Sequence, residues 1–399
     1  MSINNDAFAE RFTGELDKII TEKSSVGFMA DNAFKAKFVG AKTVKIPSIS
    51  LQGLGDYDRK TGFIKGAVNV SNTAYTMKQD RARTFVIDRE DMDETGIASL
   101  AGNVMGEFVR TKVVPETDAY TISKLGSLAA TRGQIVTDYD LSKPYDMFNK
   151  LLDSVQSEIG LDEELVCFMN RYVWNQLRKS NEISKLIDVS DFKQGEISLS
   201  VNKIDNVTII PVSNSKMMTA FEFLSGKDGD EEGGYAPTPN SRGIFMLMLP
   251  KSAASLVKKS EKIRIFTPDQ NLNADAYKFD YRLYYDVFVK KSYVSSVWAV
   301  LAPTITITQE LPDSITVKAG SITESLTCIS ESDNDSATAY QWYKCSDENK
   351  TDPVRIPNET DSTYELDKNL TAGTYYYFVK TFAEGSTFAY SNVCKVIVK

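Results

Sequence analysis

Apolar positions first recur at helical spacing. Phe8, Phe12, Leu16 and Ile19 or Ile20 fall three to four residues apart and predict a helix over residues 6–22. From residue 43 to 87 the period changes to two: Val44 and Ile46, Val68 and Val70, Phe85 and Ile87 alternate with polar neighbours as half-buried strands do. Between the first two pairs lies LQGLGDYDRKTGF, residues 51–63, rich in glycine and charge. Two strand arms joined by such a tip predict a protruding hairpin, a pattern that a flexible surface hairpin shares. Helical spacing then returns. Asp93, Glu94 and Thr95 supply helix-starting residues, Ile97, Leu100, Ala101, Val104 and Phe108 share one face, and the stripe resumes after Pro115 with Ala119, Ile122, Leu125 and Ala129. Unbroken, residues 97–130 would span roughly 50 Å, with a kink or short break expected at Pro115.

The middle of the chain mixes both periods. Residues 143–159 predict an amphipathic helix with Pro144 in its first turn, 165–169 a short buried strand, 172–186 a helix and 207–212 a strand, an alternation typical of an α/β layer. The run SGKDGDEEGG at 225–234 is too glycine-rich and acidic to pack. Its Asp228, Asp230, Glu231 and Glu232 could hold calcium, but the EF-hand spacing is absent and a solvated loop is the simpler reading. Strand patterning returns at 243–249 and over 279–300.

From residue 303 the style changes to apolar residues alternating with Ser and Thr, with turn signals recurring to the end, which predicts a separate all-β domain. The link around Ala302 and Pro303 is short and is expected to be open to proteases between 300 and 310.

Composition narrows the chemistry. The 399 residues, 42% hydrophobic and 25% charged, suit an ordinary globular protein of two or three domains. There is no histidine, so imidazole-dependent nucleophile activation and His-ligated zinc are excluded. No GxxxxGK[ST], GxGxxG or GxSxG string occurs, and no catalytic residue, cofactor site or metal site is assigned. Asp162, Glu163 and Glu164, the only other dense acidic cluster, read as a solvated turn between helix and strand. The net charge of -8 is unevenly spread: residues 303–399 hold 8 Lys/Arg and 14 Asp/Glu, leaving 38 and 40 for residues 1–302. Neither part has the basic surface that grips phosphate backbones, so DNA could be enclosed but not held tightly. The four cysteines, Cys167, Cys328, Cys345 and Cys394, include no CxxC pair. The first residues lack a signal-peptide pattern and no 18-residue apolar run exists, so cytoplasmic synthesis without a membrane span is expected.

Two resemblances follow. Trp342 in YQWYK, Cys328 fourteen residues before it, and LTAGTYYYF at 370–378 resemble an immunoglobulin-like sandwich, with Trp342 as core tryptophan and Tyr375 as corner tyrosine. The chain departs from that family at Tyr377, which stands where the second cysteine would be, so the inter-sheet disulfide is lost and Cys328 becomes a small buried apolar residue. Residues 1–300 resemble a tailed-bacteriophage major capsid protein of the Hong Kong 97 capsid fold. The likeness rests on 44–95 (similar to the E-loop and its lead into the spine), EFVRTKVVPETDAYTISKL at 107–125 (the spine), VCFMNRYVWNQLRKS at 166–180, VNKIDNVTIIPVSNSKM at 201–217 and the closing strands 279–300.

The resemblance implies an α+β chain with an N-terminal arm at 1–43, E-loop and flanking strands at 44–95, peripheral domain with spine helix at 96–180, axial domain at 181–278, returning peripheral strands at 279–302 and the immunoglobulin-like domain at 303–399. It further implies self-assembly as hexamers and pentamers into an icosahedral shell, a virion component assembled in the host cytoplasm. A separate scaffolding protein and a portal are the implied partners, with genome DNA enclosed without specific binding and a host-surface ligand for the outward-projecting terminal domain. Asp56, Arg59, Lys60, Phe63 and Lys65 become candidate contacts between subunits, though simple solvation accounts equally well for each charge. Cys328, Trp342, Tyr375 and Tyr377 become the terminal domain's core. The rival readings are a surface adhesin and a phage tail structural protein, each carrying a similar β module.

Overall fold

The computed structural model describes residues 24–31, 37–39, 42–53, 55–57, 59–60, 62–63, 65–90, 100–180, 188–194, 197–226, 233–238, 241–333, 338–383 and 388–399. The helix expected at 6–22, the helix-starting residues 93–95 and the acidic quartet Asp228, Asp230, Glu231 and Glu232 lie outside them.

The fold is mixed α+β. Strands β1 (Lys37–Val39), β2 (Thr43–Leu51) and β3 (Val68–Thr76) form an antiparallel sheet, with β2 and β3 in register from Thr43 opposite Thr76 to Leu51 opposite Val68. Strand β4 (Gln79–Asp88) follows and leads toward one long rod, α1. The rod is Leu100–Phe108, a π-helical turn at Val109–Val113, and Val114–Thr131. Pro115 does not break it. In an α-helix the proline ring would crowd the carbonyl four residues back; the wide turn just before it, where the Val114 N–H donates to the Val109 carbonyl, relaxes the ladder there.

The chain then supplies β5 (Ile135–Val136), α2 (Pro144–Ile159), β6 (Leu165–Asn170), α3 (Arg171–Lys179), β7 (Asp188–Gln194), β8 (Ile197–Ile204), β9 (Val207–Val212), the hairpin β10 (Phe221–Leu224) and β11 (Gly234–Pro237), β12 (Ile244–Pro250), β13 (Ala254–Phe266), β14 (Ala276–Val289) and β15 (Trp298–Leu301). Seven strands join in the order β5-β15-β12-β6-β9-β8-β7, parallel at β5/β15 and β6/β9 and antiparallel elsewhere. Period-two alternation decides which helix each residue meets. Val166 and Phe168 of β6 and Leu247 and Leu249 of β12 face the core built on α1, whereas Cys167, Met169, Met246 and Met248 face the one built on α2 and α3. Three layers result, helix, sheet and helix. Both strands are buried along their whole length, which is why they read as continuous apolar runs. Gly126 of α1 lets the rod approach this sheet, since a Cβ there would collide with the δ-methyl of Ile244.

A second sheet, β13-β14-β4, covers another side of α1 with Phe279, Tyr281, Leu283 and Tyr285. Its β13 and β14 pair from Ala254 opposite Val289 to Phe266 opposite Lys278, bridging residues that the sequence reading divides between 181–278 and 279–302.

The last part is all β. Strand β16 (Ile305–Gln309) pairs with β19 (Ile329–Ser332), and β18 (Ser325–Thr327) with β22 (Thr363–Glu365). The larger sheet runs β17 (Ser314–Val317), β25 (Cys394–Val398), β23 (Gly373–Ala383), β20 (Thr338–Cys345), β21 (Val354–Arg355), with β24 (Phe388–Tyr390) paired to β23. One core fills the space between these sheets.

The link into this unit is not loose. Ala302 is fully buried and its N–H donates to the Gly243 carbonyl at 2.7 Å. Arg242 donates to the Ala302 carbonyl at 3.0 and 2.8 Å and to Asp333 of the β unit at 3.0 Å, while Asp333 also accepts the Thr304 N–H at 2.9 Å. This latch replaces the open link expected from sequence. Limited proteolysis of the native chain should leave 300–310 uncut, and Arg242→Ala should speed cleavage there about fivefold, the factor that roughly 1 kcal/mol of local opening gives. Equal rates in the two proteins would show the latch to be incidental.

Candidate functional site

The hairpin of β2 and β3 is anchored at its base and open at its tip. Val44, Ile46 and Met77 are buried against Val257, Tyr284 and Phe288 of β13 and β14, and Tyr75 meets Phe288 with ring centroids 5.0 Å apart. Toward the tip the described side chains of β3 turn to solvent. Val68 and Val70 are 63% and 67% exposed, and Asp56, Arg59, Lys60 and Lys65 all face solvent. At the tip Tyr57 and Phe63 meet edge-on at 5.2 Å, yet they remain 62% and 89% exposed. Gly62 turns the chain there with φ +81, a conformation that side chains disfavour. The structure therefore gathers the expected contact residues on one projecting tip.

Three ion-paired nodes fasten other segments onto α1. Asp286 of β14 has a fully buried carboxylate that accepts the Tyr120 hydroxyl at 2.8 Å and the backbone N–H groups of Lys78 and Val287 at 3.0 and 2.7 Å, and it pairs with Lys124. Burial, reinforced by Asp286, raises the Tyr120 phenol; burial lowers the Lys124 ammonium while Asp286 opposes that shift. Asp118, also fully buried, accepts the Ser24 hydroxyl at 2.5 Å, the Ser25 N–H at 3.3 Å and the Lys216 ammonium at 2.8 Å. Arg81 of β4 grips Glu116 at 2.7 Å and donates to the carbonyls of Leu224 and Gly234 at 2.9 and 3.1 Å. Sequence reasoning missed these roles. One signal was present: Asp118 stands one turn before Ile122, in line with the stripe continued by Leu125 and Ala129.

The face of β13-β14-β4 turned away from α1 forms an open depression of about 270 Å³ lined by Lys262, Arg264, Asp280 and Arg282. Two of its charged groups, Arg282 and Asp280, are held by neighbours. Arg282 bonds Asp80 at 2.8 and 2.6 Å and holds that carboxyl below its usual range, while Thr84 donates to Asp280 at 2.8 Å. Asp162, Glu163 and Glu164 lie between α2 and β6, where Glu163 accepts the Tyr293 hydroxyl at 3.0 Å and Glu164 pairs with Lys251 at 3.1 Å. Among the described residues no group of three or more Cys, Asp or Glu could hold a metal ion.

In the terminal unit, Trp342 and Cys328 are fully buried and Tyr377 nearly so. The Trp342 indole N–H donates to the Asp361 carbonyl at 2.8 Å, and Tyr375 donates its hydroxyl to the Thr371 carbonyl at 3.1 Å. Tyr377 packs against Tyr364 at 5.6 Å, filling the core with a ring. All four cysteines are free and buried, and burial pushes the thiols of Cys328 and Cys394 up to about 11.

No family model matches the chain, and no curated protein does. Among solved structures, it is similar to one from Mycobacterium phage Che8, at 13% identity over 65% of this chain and 84% of that one with a TM-score of 0.41. It is also similar to the capsid structure of cyanophage P-SCSP1u, at 14% identity over 67% and 85% with a TM-score of 0.45. A virus-like particle from Pyrococcus furiosus matches at 8% identity over 69% and 98% with a TM-score of 0.35.

Asp286→Ala would strip Lys124, Tyr120 and two backbone N–H groups of their acceptor, and should lower stability by about 3 kcal/mol, read from urea unfolding. A loss below about 1 kcal/mol would mean that water replaces the carboxylate. The raised thiol pKa values predict that none of the cysteines reacts with an aromatic disulfide reagent at pH 8 in the native protein, and that all four react in denaturant.

Proposed function

We propose that this chain is the major capsid protein of a tailed bacteriophage, built on a Hong Kong 97 type fold with a terminal immunoglobulin-like domain. The observation that carries the reading is the hairpin: its base is buried in its own subunit while Val68, Val70, Tyr57 and Phe63 face solvent. Monomeric proteins rarely leave such a projection unused, and an aromatic pair at its tip has the character of an interface anchor. The order of elements supports the same reading: hairpin, unbroken rod, helix-flanked sheet and returning long strands follow one another as in the sequence resemblance.

On this reading the hairpin is the E-loop and lies across an adjacent copy, with Asp56, Arg59, Lys60, Phe63 and Lys65 as its contacts. The rod α1 is the spine. Residues 181–278 supply the axial domain that closes hexamers and pentamers, and 279–302 return to the periphery. A scaffolding protein guides closure, a portal occupies one vertex, and DNA is enclosed without specific contacts. The terminal domain projects outward, because its net charge of -6 would repel packaged phosphate. Repetition of one wedge-shaped copy closes a shell through contact area that a single subunit's core cannot supply.

Expressed alone or with its scaffold, the protein should form closed shells visible by electron microscopy; protein that stays monomeric under both conditions would sink the reading. Removing residues 53–66, or combining Tyr57→Ala with Phe63→Ala, should abolish shells and leave a soluble folded subunit. A normal shell yield from both variants would show the hairpin to be incidental.

A further inference from the structure

The face of β13-β14-β4 turned away from α1 is covered over part of its length. Near Val257 and Phe288 the hairpin base lies on it, with Val44, Ile46 and Met77 in one cluster with Tyr284 and Phe288. Farther along, Lys262 and Arg264 of β13, Arg282 of β14 and Val86 of β4 face solvent, and Val86 is 56% exposed. The ladder sets Lys262 opposite Arg282 and Arg264 opposite Asp280, and Phe85 and Ile87 pack inward, which leaves Val86 on the outer side. Arg282 is held by Asp80, and Asp280 lies 3.6 Å from Lys278. Lys262 and Arg264 form no ion pair among the described residues. The open part of this face thus carries two uncompensated cations and an exposed valine.

The terminal unit carries the opposite pattern on its smaller side. Leu326, Cys328 and Ser330, in the run through β18 and β19, are buried, so Ser325, Thr327, Ile329 and Glu331 point outward. Glu365 of β22 stands opposite Ser325 on the same face. No Lys or Arg occurs in β16, β18, β19 or β22. Among the described residues the ion pairs of this unit use Asp333 and Glu348, which leaves the exposed Glu331 and Glu365 uncompensated. Ile329 beside them is 41% exposed.

We propose that this acidic face of one copy docks on the open basic face of an adjacent copy, with Glu331 meeting Lys262 and Arg264 and Ile329 lying toward Val86. The contact rests on the reading that copies of this chain assemble, and it joins two surfaces other than the hairpin. Each surface sets uncompensated charge beside an exposed apolar residue, so the two match in sign and in character. A phosphate backbone suits the basic face less well, because it would meet Asp80 and Asp280 there and leave Val86 bare. A neighbouring hairpin tip brings no surplus of negative charge, since residues 55–65 hold Asp56 and Asp58 against Arg59, Lys60 and Lys65. The contact is head to tail, the type that closes rings and shells when the rotation closes. The Arg242 latch already fixes the terminal unit on its own body, so docking demands little further ordering.

The test mixes isotopically heavy and light full-length protein, both as assembled particles and as concentrated soluble subunits. A carbodiimide then joins neighbouring amines and carboxylates, taking up the water that each amide releases, and mass spectrometry reads the joined peptides. A link from the Lys262 amine to the Glu331 or Glu365 carboxylate is expected between heavy and light copies, weakening with salt. Arg264→Glu should lower its yield about tenfold at an unchanged melting temperature, and Arg264→Glu with Glu331→Lys should give a new link between positions 264 and 331. The proposal is overturned if Lys262 links only within one copy, links only to residues outside 303–399, or links to nothing in either sample. An unchanged yield in Arg264→Glu overturns it equally. Electron microscopy of the same samples reads shells separately: shells without the link end this proposal and keep the assembly reading, whereas monomers without it end both.

Discussion

Burying two carboxylates against one rod is the constraint on which the body depends. An isolated carboxylate in such a place costs several kcal/mol, and each is offset only when its partners arrive in register. Asp118 requires Ser24, Ser25 and Lys216; Asp286 requires Tyr120, Lys124 and Lys78, the residue that leads into β4. Apolar contacts around α1 tolerate sliding, because one methyl group serves much like another. Two charges fixed in place do not, so they select one arrangement of the N-terminal segment, the rod and the long strands.

The hairpin is held differently at its two ends. The residues of β2 and β3 near the base share a core with β13 and β14, while Val68 and Val70 of the distal arm face solvent. A two-stranded ribbon of this length has too little area to form a core of its own. Its stability beyond the base comes from ladder hydrogen bonds and from whatever surface receives it. The wide turn at Val109–Val113 serves the opposite end of the design, letting the rod carry Pro115 without a break that would separate Met105 and Val109 from Ile122 and Leu125.

Much of this was legible in the chain. Period-two alternation located the arms of the hairpin, the apolar run at 165–169 gave a buried strand, and 243–249 gave a strand whose burial on both faces only the structure supplies. The exposure of the tip was legible because its glycines and charges exclude a core, whereas the contact role of Asp56, Arg59, Lys60, Phe63 and Lys65 rests on the resemblance. What escaped depends on distance in sequence. The expectation of a kink or short break at Pro115 located the irregularity but not its form, a π turn just before it that keeps the rod continuous. The expected open link failed because Arg242 reaches Asp333, 91 residues away, and no local pattern announces that pairing. Asp118 and Asp286 escaped likewise, since Ser24, Lys216 and Lys124 are brought to them by the fold.

The latch also changes what the terminal domain can do. A domain on a loose tether samples many orientations, and its binding faces act independently. Here Arg242 ties the Ala302 carbonyl and Asp333 into one cluster, so the sandwich inherits its orientation from the seven-stranded sheet.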